Sequence, residues 1–177
     1  MWLLNVHSKQ LEFFEGSHIP KYAILSHRWQ DEEVTFKEVQ KNRCAGKKGW
    51  LKVTKCCDIA REEGLDYIWA DTCCIDKRSS AELSEAINSM YRWYKESVFC
   101  LAYLVDVDMQ DPTHEDISRY SDWHDRAAAL LQKSVWLTRG WTLQELLAPK
   151  VVRFYDTNWI SLGTRKDFRK RLQRAPA

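Results

Sequence analysis

Four short apolar runs, separated by segments with helical patterning, constrain this chain more than any other feature. Lys21-Tyr-Ala-Ile-Leu-Ser26, Tyr67-Ile-Trp-Ala70, Val98 to Val105 and Val151-Val-Arg-Phe-Tyr155 are apolar without strict alternation. A strand reads that way when both of its faces are covered, as in a parallel sheet. Helices are expected from Asp31 to Asn42, from Trp50 to Glu63 with Gly64 closing it, and from Asp122 to Gln132. Ser79-x-x-Glu82 is a capping box opening another helix, whose apolar face is Leu83, Ala86, Ile87, Met90 and Tyr94. Strands alternating with helices make βαβ units with right-handed crossovers. The expected fold is therefore α/β, a parallel sheet flanked by helices, in one domain over residues 1–177. Residues 2–19 read as a short strand and a polar turn, and 106–120 as a polar loop. Residues 158–163 read as a turn before a basic last helix.

In such a sheet, ligands bind in the crevice beyond the C-terminal strand ends. Ser26, His27, Arg28 and Trp29 follow the first long run; Asp71, Thr72, Cys74 and Asp76 follow the second. The stretch Ser134-Val-Trp-Leu-Thr-Arg-Gly-Trp-Thr-Leu-Gln-Glu-Leu-Leu-Ala-Pro149 adds a third polar group to the same rim. In it, Leu143, Leu146 and Leu147 recur at helical spacing and Pro149 forbids continuation, so a helix of about two turns is expected with Thr142 as its N-cap. Glu145 fits two roles there. It can complete a capping box with Thr142, or line a cleft beside Arg139 and Trp141, where a carboxylate stabilises developing positive charge and an indole stacks on a planar ligand.

Composition narrows the function. Hydrophobic residues make up 45% and charged ones 29%, with a net charge of +2, which fits a folded soluble protein and not a dedicated nucleic-acid binder. Basic residues cluster only at Arg165-Lys166 and Arg169-Lys170-Arg171, which reads as the solvated face of the last helix. No apolar run approaches the roughly 20 residues of a membrane span, and the first residues lack a signal peptide's pattern, so a cytoplasmic location is expected. The six cysteines include the adjacent pairs Cys56-Cys57 and Cys73-Cys74 but no Cys-x-x-Cys, which indicates neither a disulfide framework nor a metal site. Nine tryptophans exceed what such a core needs, so some are expected to line a site. Core positions also fit Trp29 and Trp69, a turn or cap fits Asp71, and an ion pair fits Arg28.

Tyr22-Ala-Ile-Leu-Ser-His-Arg-Trp29, Ile68-Trp-Ala-Asp-Thr-Cys-Cys-Ile-Asp76 and Trp136-Leu-Thr-Arg-Gly-Trp-Thr-Leu-Gln-Glu-Leu146 resemble the three signature blocks of the fungal heterokaryon-incompatibility (HET) domain. The resemblance runs from about Tyr22 to Gly163. It implies a cell-death effector module, of a kind usually found at the N-terminus of larger receptors with a nucleotide-binding oligomerisation domain and repeats. HET domains are in turn similar to Toll/interleukin-1 receptor (TIR) domains, which implies a flavodoxin-like fold. Trp141-Thr-Leu-Gln-Glu-Leu146 is similar to the TIR pattern Trp-Cys-x-x-Glu-Leu, with threonine in place of cysteine, and the TIR glutamate cleaves NAD⁺.

The resemblance implies an NAD⁺ glycohydrolase, active as a homo-oligomer, with Glu145 as the catalytic carboxylate facing an oxocarbenium-like transition state. Ser26, His27, Arg28, Trp29, Asp71, Cys74, Arg139 and Trp141 are then the substrate-binding candidates. Arg28 and Arg139 would hold the pyrophosphate, Trp29 or Trp141 would stack on a base, and Asp71 would bind a ribose hydroxyl. No glycine-rich phosphate loop is present, so NAD⁺ or a related nucleotide is expected as substrate and no cofactor is. The alternative is a non-enzymatic signalling module that kills through self-association and partner recruitment. A cysteine hydrolase pairing Cys74 with His27 meets the residue requirement but is less favoured, since paired cysteines after a strand more often pack.

Overall fold

The computed structural model describes residues 1–110 and 122–169. In chain order the elements are β1 (Trp2–Asn5), β2 (Leu11–Phe13), β3 (Tyr22–His27), α1 (Phe36–Gln40), α2 (Lys48–Glu62), β4 (Tyr67–Ala70) and α3 (Ser80–Glu96). There follow β5 (Phe99–Tyr103), α4 (Trp123–Lys133), α5 (Thr142–Leu147), β6 (Val152–Tyr155), β7 (Ser161–Thr164) and α6 (Arg165–Phe168). Residues 111–120 of the expected polar loop, and Lys170 and Arg171 of the basic cluster, lie outside the described residues.

The apolar runs form the centre of one seven-stranded sheet, ordered β2-β1-β4-β3-β5-β6-β7. β4, β3, β5 and β6 are parallel to one another. Every residue of β3 and β5 is buried, which is why their sequences show no alternation. A wholly parallel sheet was expected, and the sheet is mixed. β1 pairs antiparallel with β2 and with β4, and β7 pairs antiparallel with β6. The reason is connection length: β1–β2 and β6–β7 are joined by loops of a few residues, which reach only an antiparallel neighbour. The segment read as a turn at 158–163 thus contains three of the four residues of β7. Its turn is fixed by Asp156, fully buried, whose carboxylate accepts the backbone N–H groups of Met109, Asn158 and Ile160.

α1 starts at Phe36 and not near Asp31, because Thr35 and Glu38 form the capping box that sets its first turn. α3 starts where expected, with the Ser79 hydroxyl accepting the Glu82 N–H at 3.3 Å. Its buried stripe is Ala86, Trp93 and Tyr94, with Leu83 and Met90 packed at the margin, while Ile87 is left 46% exposed. Trp93 and Tyr94 meet the fully buried Trp69 edge-on at 5.6 and 6.0 Å between ring centroids. Trp69 is therefore a core residue. Trp29, by contrast, is 47% exposed. All six cysteines are reduced and buried.

Candidate functional site

Neighbouring strand residues project to opposite sheet faces, and this divides the polar residues at the end of β3. Ser26 points toward α5. Its hydroxyl donates to Glu145 Oε2 at 2.6 Å and accepts the Trp136 indole N–H at 2.8 Å. Arg139 Nη1 donates to the same Oε2 at 3.2 Å. Glu145 is 3% exposed, and among the described residues its Oε1 accepts no hydrogen bond. Burial raises the Glu145 pKa above the usual carboxylate range, with Arg139 and the Ser26 hydroxyl pulling it down and Asp71 adding to the rise.

This arrangement replaces the capping box. Trp141, not Thr142, occupies the N-cap position, and its carbonyl takes the N–H groups of Gln144 and Glu145. The Thr142 hydroxyl donates to the Trp136 carbonyl. With the first-turn donors satisfied by backbone, the Glu145 carboxylate is released to face the sheet. The helix is also inverted relative to its leucine pattern: Thr142 and Glu145 are buried, whereas Leu143 and Leu147 are 66% and 59% exposed.

His27 points to the other face, toward α2. It is 2% exposed and neither ring nitrogen has a hydrogen-bond partner. Glu33 Oε2 lies 3.7 Å from His27 Nε2, and Glu33 Oε1 accepts from the buried Lys52 ammonium. Burial holds the imidazole well below its ordinary pKa, and Lys52, Arg139 and Lys77 push the same way, so His27 is neutral and the Glu33 contact is not an ion pair.

A third cluster spans the rim. The Trp29 indole N–H donates to Asp71 Oδ2 at 2.8 Å, and the Lys77 ammonium lies 3.3 Å from the Trp29 ring centroid. Burial raises the Asp71 pKa, countered by Lys77, Trp29 and Arg139. Asp71 is the electrostatic link, since it acts on Glu145 and is itself acted on by Arg139 and Glu33.

Ser26, Arg139 and Glu145 are thus in direct contact, and Trp29 and Asp71 form a separate contact joined to them by charge. Arg28 is exposed and forms no ion pair or side-chain hydrogen bond among the described residues. Trp141 is 47% exposed beside Arg139. Cys74 is 3% exposed, and its sulfur takes the Ala70 N–H at 3.4 Å. It makes no bond to His27, whose ring nitrogens are unpartnered, so no thiol–imidazole pair is assembled. Glu33, Lys52 and Lys77 were missed from sequence, because charged residues in helices and loops read as solvated. One signal was available: Gly49 opens α2 where a Cβ would lie 2.8 Å from Glu33 Cα. Among the described residues, no group of three or more His, Cys, Asp or Glu is placed to hold a metal ion.

No helix among the described residues is long and apolar enough to cross a membrane. No solved structure matches the chain. The chain is 43% identical over 154 residues to the Vegetative incompatibility protein HET-E-1 of Podospora anserina, an overlap of 86% of this chain and 11% of that protein. The chain therefore spans only a small part of that relative's length. Residues 22–145, which carry β3, the Asp71 and Trp29 cluster and α5 through Glu145, match the family described as Heterokaryon incompatibility protein (HET), and the chain belongs to that family.

Proposed function

We propose that this domain is a cytoplasmic cell-death effector of heterokaryon incompatibility, and that it acts by cleaving NAD⁺ or a related nucleotide when several copies associate. The observation that carries the reading is Glu145, a carboxylate buried at the C-terminal strand ends and held by a hydroxyl and a guanidinium through one oxygen. A glutamate with only a capping role would not be enclosed there at the expense of desolvation. The reaction breaks the nicotinamide–ribose bond, and the electron pair leaves with the pyridine nitrogen. Glu145 stabilises the oxocarbenium-like ribose, and water completes the hydrolysis. Arg139, one-fifth exposed, covers the carboxylate and offers a cation to the pyrophosphate once displaced.

Two features support kinship with TIR-like domains. Taken by themselves, the parallel strands run β4-β3-β5-β6, which is second-first-third-fourth in chain order, as in flavodoxin-like sheets. Ser26 is the penultimate residue of β3, at the point where that order reverses, where such sheets bind ligands. Self-association is favoured by exposed apolar residues beside the site. Leu137, Leu147 and Val151 line a groove of about 800 Å³, and Trp141 and Leu143 are exposed on the same segment. The same surface is what a non-enzymatic module that kills by assembly would use. The two readings separate when purified domain is assayed for NAD⁺ loss and nicotinamide release over a rising protein concentration. Release that climbs with concentration and vanishes in a folded Glu145→Gln protein supports the enzyme. Cell killing by a protein that leaves NAD⁺ intact at every concentration, and by its Glu145→Gln variant alike, supports assembly alone.

A further inference from the structure

Trp29 is an unusual place for a lysine to rest. Its indole is oriented by the Asp71 carboxylate, nearly half of its surface is open, and the Lys77 ammonium sits 3.3 Å above the ring centre. Lys77 makes no hydrogen bond or ion pair among the described residues, although it is exposed and Asp71 is close enough to act on it electrostatically. The cation has taken the indole face in preference to a carboxylate oxygen. An indole is the strongest of the aromatic cation acceptors, and a carboxylate bound to its N–H makes the ring more electron-rich. This is a preformed seat for a cation, held by a side chain from a loop. Trp29 is bound to Asp71, whose charge acts on Glu145, so the seat and the carboxylate belong to the same rim of strand ends.

We propose that the Trp29 face is the subsite for a planar, positively charged ring, an N-alkylpyridinium, and that Lys77 occupies it as a placeholder the ring displaces. The proposal rests on the NAD⁺ reading above and names the part of the substrate that determines specificity. A pyridinium keeps the cationic attraction that Lys77 had and adds ring stacking, whereas a neutral dihydropyridine or free nicotinamide has only the stacking. The subsite therefore selects the oxidised dinucleotide over the reduced one. It also releases its product: when the C1′–N1 bond breaks, the bonding pair goes to the ring nitrogen, the ring loses its charge, and Lys77 returns to the indole.

The test is a binding measurement that needs no turnover. 1-Methylnicotinamide, a cation that cannot be cleaved at a ribose, and neutral nicotinamide are titrated into the domain and its variants by isothermal calorimetry, and where the indole is present also by the NMR shift of the Trp29 indole N–H, assigned with Trp29→Phe. The cation is expected to bind about three- to thirty-fold more tightly than nicotinamide. Lys77→Ala should tighten both probes by a similar factor, because each must displace the ammonium from the ring, and should keep the preference for the cation. Trp29→Leu should remove the preference, and because that variant can unfold, Trp29→Phe serves as the folded check with a reduced preference. Equal binding of the two probes, or weaker cation binding in Lys77→Ala, overturns the proposal. A domain that shows the ranking yet never consumes NAD⁺ keeps the subsite and loses the reaction. A domain that consumes NAD⁺ without the ranking loses the subsite alone.

Discussion

Replacing Glu145 by glutamine and by alanine separates a structural carboxylate from a functional one, because the two variants disturb different parts of the same contact. Both of its hydrogen bonds fall on Oε2, from Ser26 at 2.6 Å and Arg139 at 3.2 Å. In Glu145→Gln the amide oxygen keeps both donors, and the new NH₂ takes the Oε1 position, which has no partner to lose among the described residues. Each bond falls from a charged to a neutral acceptor, a loss of about 1 kcal/mol each. Against this, the native fold no longer buries an ionised carboxylate, a term of the same size or larger. The net change is within about 1 kcal/mol, or about 2–4 °C in melting temperature for a domain this long. Glu145→Ala instead leaves the Ser26 hydroxyl and Arg139 without an acceptor and opens a void, costing about 3 kcal/mol and about 6–12 °C.

The pH dependence has a defined sign. The folded Glu145 pKa is raised, so its contribution to stability is greatest below the unfolded value near 4.5 and declines as pH rises through the folded pKa. Glutamine has no such decline, so the melting temperature of Glu145→Gln relative to the parent should increase from acid toward neutral pH. Differential scanning calorimetry at several pH values, paired with NAD⁺ consumption and cell killing, checks each part. The expected result is a glutamine variant as stable as the parent and inactive. A glutamine variant destabilised by more than about 2 kcal/mol at neutral pH would show that the charge is structural. Full activity in a folded glutamine variant would refute the catalytic assignment.

Three further outcomes are expected. His27 is held neutral in the fold, so the unfolded chain binds the extra proton. Stability that depends on it is present above the unfolded pKa near 6.5 and is lost as pH falls below it, and in His27→Asn the melting temperature should decline less between about pH 6.5 and 5. Gly49→Ala drives a Cβ to 2.8 Å from both Glu33 Cα and Glu33 Oε2 at the start of α2. It should cost about 1–3 kcal/mol by chemical denaturation, and an unchanged midpoint would mean the Glu33 loop moves aside freely. Cys74→Ser should melt somewhat lower but still kill, since the sulfur is buried in the core and bonded to the Ala70 N–H and the Ile68 carbonyl; a folded but inactive protein would bring the thiol into the chemistry.

The local sequence determined the strands of the parallel core, because a segment buried on both faces must be apolar throughout, and β3, β4, β5 and β6 all fall on the runs that show it. It also determined the start of α3, where Ser79 and Glu82 are neighbours along the chain and need nothing else. The antiparallel edges were less legible: three- and four-residue strands such as β2 and β7 carry too few side chains to show a period. At the site, the sequence brought Ser26, Arg139 and Glu145 forward as candidates, but only tertiary structure decided their roles. Thr142 and Glu145 have the spacing of a capping box, yet a donor 119 residues away, Ser26, takes the carboxylate, while the Trp141 carbonyl satisfies the helix N–H groups. Ser26 and His27 are adjacent in the chain and serve opposite faces of the sheet, and Glu33, Lys52 and Lys77 join the constellation across loops and helices. Contacts of that kind depend on how α1, α2 and α5 pack against the sheet, and no local pattern encodes them.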